Sequence, residues 1–415
     1  MKVEKWTLGL AAVGLVALSP SLLAQSVAPQ LVPIQTALSA TTISGYVDTS
    51  AVWNPGTGNA NPAPYAFNAG KQDGFNLDAV DVKIAKAPGE EAWSAGYVAE
   101  LSYGPDAIAI DGGAYPIRQA YVELNVPAYN NINIEIGRWD SLLGYESSDS
   151  MKNPNYTRSY GKSFEPTENT GLLASYKFCD AFSAQAGVAD TVTTTAFSVN
   201  DRATSFGVAP IESKKAFLGL LTLTAPESWG GYKGSALYAG WDYGQGAPTH
   251  DKSEIYVGGT LNTPIKGLTF GASWDAIFHN DVLVDGATDT DESYFQSIAG
   301  YCSYKATEKL TLSARFEYAD GIGLGALADE NNGGVGGIYG AASGSFDNPL
   351  HKVLALTGTV QYQLWENVIS RVEVRWDHAA DGSEAFGGTP YSTVFGGLPD
   401  KKNEVTIAAN VIYKF

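Results

Sequence analysis

Long apolar runs are missing from this chain of 415 residues. Beyond a short N-terminal stretch, nothing approaches the roughly 18 consecutive apolar residues of a spanning helix. Positive charge is scarce. Against 44 Asp and Glu stand 26 Lys and Arg, leaving a formal charge of −18. Nucleic-acid phosphates and acidic membrane surfaces would be repelled, so no nucleic-acid partner is expected. Histidine is limited to His250, His279, His351 and His378, on separate segments without metal-ligand spacing. No P-loop, dinucleotide fingerprint or Cys-x-x-Cys occurs, and no Ser-centred motif pairs with a histidine by spacing. No metal, no cofactor and no catalysis are therefore expected. Methionine is nearly absent after the start; Met151 is the second of two.

What the chain has instead is glycine, tyrosine and alternation, with near-neutral mean hydropathy. The last stretch, 404–415, shows the pattern best. Val405, Ile407, Ala409, Val411, Tyr413 and Phe415 share one parity; Thr406, Ala408, Asn410, Ile412 and Lys414 share the other. That is a strand of period two with one apolar face. Ending on Phe415 with Tyr413 two residues earlier, it resembles the closing strand of bacterial outer-membrane barrels. Such a strand is read by the barrel assembly machinery. At the other end, residues 1–24 read as a signal peptide. Lys2 and Lys5 precede an apolar run at 6–18, and Ser21-Leu22-Leu23-Ala24 offers a cleavage site before Gln25. Residues 25–40, with Pro29 and Pro33, read as a periplasmic lead-in.

From there the alternation predicts strands at 43–54, 75–86, 93–103, 117–126, 132–139, 172–178, 182–188, 217–223, 232–243, 255–261, 268–278, 295–304, 310–318, 353–364, 368–377 and 404–415. Short turns and long polar links alternate between them. That rule belongs to an all-β, transmembrane up-and-down antiparallel β-barrel of about 16 strands, a single domain over 41–415. With no water in the bilayer core the sheet must close. Trp93, Trp229 and Trp365 fall at short turns. Trp53, Trp139, Trp241, Trp274 and Trp376 fall toward long links, as two interfacial belts require. Cys179 and Cys302 map to well-separated staves of a barrel roughly 30 Å across. Disulfide Cα atoms lie within about 7 Å, so no bridge is expected.

Two segments carry a family likeness. One is Gly137-Arg138-Trp139-Asp140-Ser141-Leu142-Leu143-Gly144-Tyr145-Glu146 with Asn155-Tyr156-Thr157-Arg158-Ser159-Tyr160. The other runs Leu364-Trp365-Glu366-Asn367-Val368-Ile369-Ser370-Arg371-Val372-Glu373-Val374-Arg375-Trp376-Asp377-His378. Both resemble the porin-2, OmpL-like family of outer-membrane β-barrels. The resemblance implies one barrel in the bacterial outer membrane, acting as a general or solute-preferring diffusion porin.

Function must then lie in the lumen. Arg371, Glu373, Arg375 and Asp377 share the parity opposite the apolar one, and Arg315 and Glu317 do the same. A charge facing lipid would cost about 2–4 kcal/mol near the midplane, so these side chains point inward. They either set a transverse field across the eyelet or pair as salt bridges that stiffen a wide lumen. Glu100, Glu123, Glu135 and Lys177 are further lumen candidates. Residues 140–169 hold no strand signal and are long enough to be functional. They are expected to fold into the barrel as a constriction, the alternative being a surface loop over the mouth. Asp140, Glu146, Asp149, Glu165 and Glu168 outnumber Lys152, Arg158 and Lys162 there, which favours cations. Asp285, Asp289, Asp291 and Glu292 cluster without EF-hand spacing and read as a solvated acidic loop. The expected partners are outer-membrane lipid and small hydrophilic solutes or ions. Porin barrels of this size are commonly homotrimers; the sequence fixes no oligomeric state. The rival readings are a non-conducting barrel used for binding, adhesion or scaffolding, and a hydrolase using a rim histidine.

Overall fold

A computed structural model describes residues 40–59, 61–68, 71, 73–107, 116–192, 215–247, 250–280, 282–284, 287–289, 293–322, 350–388 and 399–415. Residues 1–24, expected to be a signal peptide, and nearly all of the expected lead-in 25–40 lie outside them. The chain forms β1 (Thr42–Trp53), β2 (Gly74–Lys86), β3 (Ser94–Tyr103), β4 (Ile117–Val126), β5 (Ile132–Asp140), β6 (Glu168–Cys179), β7 (Phe182–Ala189) and β8 (Ala216–Thr224). These continue into β9 (Ala236–Ala247), β10 (His250–Asn262), β11 (Leu268–Asn280), a small hairpin of β12 (Val282–Val284) and β13 (Ala287–Asp289), and β14 (Ser293–Lys305). The last four are β15 (Leu310–Ile322), β16 (Lys352–Trp365), β17 (Val368–Ala379) and β18 (Asn403–Lys414). All but the small hairpin join one closed antiparallel barrel of sixteen strands, sealed by β1 against β18.

The alternation explains the register. On β17, Val372 and Val374 are about half-exposed on the outer wall, while Arg371, Glu373, Arg375 and Asp377 are buried inside. A slip by one residue would exchange the two sets. The barrel closes through pairs such as Val47 with Tyr413 and Ala51 with Ala409, and Gly45 and Phe415 exchange backbone hydrogen bonds of 3.0 Å each way. The wide apolar surface outside, including Phe217, Leu221, Ile298, Phe316 and Leu356, suits lipid and would be a liability in water.

Of the five register shifts among the described residues of the barrel, two re-aim charged residues into the lumen. Asp78 is the extra residue where β2 meets β1, and Arg118 where β4 meets β3, because Glu100 pairs with Gln119 but Leu101 with Ile117. A bulge re-aims its side chain. Arg118, which alternation with Ala120 and Val122 would place outside, turns in to Glu100 at 2.7 Å.

Three sequence expectations need correction. The link at 244–254 is not a long loop. β9 and β10 stay paired beyond Tyr243 opposite Ser253 to Ala247 opposite His250, leaving two residues between them. The strand expected to start at 232 starts at Ala236, because the turn tightens into a 3-10 segment, Glu227–Tyr232. Trp139 is not in a belt; it is 2% exposed, packed inside with Leu173, Ala189, Val192, Ala216 and Leu218. Trp53, Trp93, Trp229, Trp241 and Trp365 are exposed on the outer wall or rims. Both cysteines are free, Cys179 at the end of β6 and Cys302 in β14. The long link 193–214 lies outside the described residues.

The register makes Val374→Arg a direct test of the lipid face. Urea unfolding in lipid vesicles is expected to show a loss of about 2–4 kcal/mol. A neutral result would mean that this face does not meet hydrocarbon.

Candidate functional site: the lumen and its constriction loop

Residues 141–167, between β5 and β6, fold into the barrel rather than over it. The loop first organises itself. Asp149 caps the 3-10 turn Ser150–Lys152 by accepting from Met151 N at 2.9 Å. Asn153 ties both strands of this turn, donating to the carbonyls of Ser147 at 2.7 Å and Asp149 at 2.9 Å. Gly144, with φ of +110°, brings the backbone against the Glu165 carboxylate, where a Cβ would collide.

The wall then receives the loop. Glu373 accepts from Tyr156 N at 2.6 Å, Thr157 N at 2.9 Å and Thr157 Oγ1 at 2.6 Å, and also from Thr359 Oγ1 at 2.6 Å. Arg371 donates to the carbonyls of Ser150 and Asn153, each at 3.0 Å. Arg375 donates to the Arg158 carbonyl at 2.6 Å and pairs with Asp377 at 2.9 Å. Arg315 holds Glu146 at 2.8 Å and Glu317 at 2.7 Å. Tyr160 donates its amide to Glu317 and its hydroxyl to Asp377, both at 2.7 Å. All six wall charges are at most 2% exposed. They face inward, but against the loop backbone rather than open lumen. The loop amides of Tyr156, Thr157 and Tyr160 and the carbonyls of Ser150, Asn153 and Arg158, which would be stranded inside a barrel, thus find charged partners.

A second stretch of chain joins this packing, which sequence reading missed. Ala63, Tyr65 and Phe67, between β1 and β2, enter the same end of the lumen. Tyr65 lies 4.2 Å from the Arg375 guanidinium, Phe67 lies 5.4 Å from that of Arg158, and Ala63 N donates to Glu404. Tyr65, Tyr160, Ile277, Phe295, Leu350 and Phe386 build an apolar cluster across the long-loop end.

The opposite wall, β2 to β6, carries a further network. Arg118 bridges Glu100 at 2.7 Å and Asp140 at 2.8 Å; Lys83 reaches Glu100 at 3.0 Å. On β9 to β11 the loop meets Lys252, which donates to the Phe164 carbonyl at 3.0 Å and pairs with Glu254 at 3.1 Å. Lys162 pairs with Glu165 at 3.3 Å. Burial, opposed by Lys162 and reinforced by Glu254 and Glu146, pushes the Glu165 carboxyl up to about 7.

The loop acids therefore do not face the passage as their number suggested. Glu146, Glu165 and Glu168 are buried, the last within 3.5 Å of Arg138, and Asp149 is paired with Lys152 at 3.4 Å. Asp140 keeps partial access. Arg158 is buried in the loop's own backbone, donating to the Tyr156 carbonyl at 2.9 Å. Besides Asp140, Glu123 and Glu135 are only partly buried, directly opposite in register on β4 and β5, with Asn133 donating to Glu123. Lys177 is at the short-turn rim with Asp180, 2.7 Å away. The signal for the β9–β11 charges was available: Asp242 lies between outward Trp241 and Tyr243, and Asp275 follows Trp274. His351 and His378 sit apart at the long-loop rim, on Gly321 and Asn403 respectively. The side chains of His250 and His279 lie outside the description, as does most of the acidic stretch 285–292. Among the described residues no cluster of three or more His, Cys, Asp and Glu could hold a metal ion.

A closed barrel with inward charge and an inserted loop is a pore architecture, and the comparisons agree. The family described as "Putative beta-barrel porin-2, OmpL-like" matches residues 40–415. The chain belongs to that family. It is an outer-membrane porin, a multi-pass β-barrel. Solved structures share the fold at low identity. The anion-selective porin from Comamonas acidovorans is 12% identical, with a TM-score of 0.55, covering 91% of this chain and 99% of that one. The outer-membrane channel DcaP of Acinetobacter baumannii is 14% identical, with a TM-score of 0.53 and coverage of 90% and 97%. OmpT of Vibrio cholerae, in its trimer form, is 10% identical, with a TM-score of 0.51 and coverage of 90% and 99%. Among curated proteins none matches.

Glu373→Ala would strand two loop amides inside the barrel. The expected loss is about 3–5 kcal/mol in urea unfolding, with new protease cleavage between residues 150 and 160. Unchanged stability and no cleavage would show that Glu373 does not hold the loop.

Proposed function

We propose that this porin passes small hydrophilic solutes and ions by diffusion and prefers cations, with no catalytic cycle. The observation that carries the preference is the Glu123–Glu135 pair, held opposite in register on the lumen side of β4 and β5 with water access. Val122 and Ile136 beside them face outward and are about half-exposed, so the same strands divide lipid from lumen. Asn125, Ser175 and Gln185 extend a polar, partly buried surface around the pair. A pair of like charges on a water-filled wall raises the local cation concentration and repels anions. An anion-selective porin shares the fold. The sign of selectivity is therefore taken to follow the lining side chains rather than the barrel.

The wall charges of β15 and β17 act on this passage indirectly, by fixing how far the loop reaches across it. The trimeric OmpT structure and the broad apolar outer wall support a homotrimer in outer-membrane lipid. The apolar face of β18 that seals the barrel against β1 supports insertion by the assembly machinery, with residues 1–24 removed as a signal peptide.

One observation favours a second reading. The long-loop end is filled by Tyr65, Tyr160, Phe295, Leu350 and Phe386, which would suit a barrel that binds or scaffolds without conducting.

Planar-bilayer recording in a salt gradient separates the two. The refolded protein is expected to show stepwise currents with a cation-selective reversal potential. Exchanging both Glu123→Gln and Glu135→Gln should lower the cation-to-anion permeability ratio by about threefold. An unchanged ratio in the double variant would remove the role of the pair. Silence from a folded, inserted barrel would favour the non-conducting reading.

A further inference from the structure

The constriction loop meets the barrel along two seams of different charge balance. On β15 to β17 the seam is neutral: Arg158, Arg315, Arg371 and Arg375 face Glu146, Glu317, Glu373 and Asp377. On β9 to β14 it is not. Glu165, Asp242, Glu254 and Asp275 are four carboxyl groups, and Lys162 and Lys252 are two ammonium groups. The pairing register makes the excess worse. Asp242 lies directly opposite Glu254, and Asp275 opposite Ser297, whereas like charges across a pair of strands repel.

This second seam is also polar without being satisfied. Asp242, Glu254, Asp275 and Ser297 are each at most 1% exposed. Both Asp242 oxygens, Asp275 Oδ1 and Ser297 Oγ have no hydrogen-bond partner. The loop presses directly on them: a Cβ at Gly161 would stand 2.6 Å from Asp275 Oδ2 and 3.5 Å from Ser297 Oγ. Two uncompensated negative charges buried together call for neutralisation, because ionised groups are not buried without partners. Protons shared among the facing carboxyl groups supply it at this spacing.

We propose that this seam is a proton-held latch: Glu165, Asp242, Glu254 and Asp275 share bound protons that seat the constriction loop, and their loss frees that edge and widens the passage. The widening rests on the diffusion-channel reading above; the latch itself does not. The groups facing it are Asp242 and Tyr238 from β9, Lys252, Glu254 and Tyr256 from β10, Asp275 from β11, Ser297 and Tyr301 from β14, and Tyr145, Glu146, Lys162 and Glu165 from the loop. The raised pKa of Glu165, about 7, agrees in sign. A carboxyl that holds its proton more tightly when docked favours docking at low pH, and that contribution disappears as pH rises through about 7. The arginine seam, with its charges paired one to one, serves as the hinge.

The test uses the full refolded barrel and two readouts. In planar bilayers the wild-type step conductance is expected to rise about twofold between about pH 6 and about pH 10. Asp242→Asn with Asp275→Asn should flatten that rise, as should Glu165→Gln alone if the pair of exchanges prevents folding. The second readout is hydrogen exchange of amides 161–167 in the folded protein, compared with the variants at each pH so that intrinsic base catalysis cancels. Faster wild-type exchange at alkaline pH supports the latch even if no current is seen, in which case only the channel reading fails. Identical pH profiles in wild type and variants overturn the latch. So does re-closure at about pH 10 by added calcium, which would mean that a cation rather than protons holds the seam.

Discussion

Backbone polar groups cannot be left unpaired in hydrocarbon, and that constraint orders the rest of this molecule. It forces β18 back onto β1, so that no strand edge faces lipid. Closure in turn fixes the parity of every strand. Once Val372 and Val374 must face lipid, Arg371, Glu373 and Arg375 have only the interior to occupy. The inward charge is thus a consequence of the wall before it is a device for transport.

The interior then has its own unpaired groups to satisfy, those of residues 141–167. Several of them are bound by the wall charges, Glu373 accepting from the amides of Tyr156 and Thr157 and Arg371 and Arg375 donating to the carbonyls of Ser150 and Arg158. A loop in this position is stable because the wall is charged, and the charged wall is tolerated in a dry seam because the loop is there. The acids used in that exchange are withdrawn from the passage. Glu123 and Glu135, on the wall of β4 and β5, keep access to the lumen. In the proposed function, selectivity and constriction are thus assigned to different residues, on opposite sides of one lumen.

Much of this was legible in the sequence because lipid and water impose opposite demands on neighbouring residues. The sixteen strands, the closing strand at 404–415 and the inward direction of Arg315 and Glu317 follow from period two alone. Four things did not. The bulge at Arg118 shifts the count by one residue, and alternation has no memory of where such a shift falls. The run Gly244-Gln245-Gly246-Ala247-Pro248 reads as a loop, although β10 supplies the partners that keep its first residues in a strand. The role of the β17 charges was left between a transverse field and mutual salt bridges. Their main partners lie in the loop more than 200 residues away in sequence, a meeting that only the closed barrel creates. Trp139 was misplaced for the same reason: the leucines that cover it come from β6 and β8.

The central claim is that a charged wall holds residues 141–167 as the constriction of a conducting barrel. Liposome swelling with uncharged sugars of increasing size tests it most directly, comparing the full chain with one in which residues 147–160 are replaced by a short Gly-Ser link. The account predicts that the full chain admits only the smallest sugars and that the shortened chain, still folded, admits larger ones. An identical size limit in the two proteins would contradict it, since the loop would then not set the width of the passage.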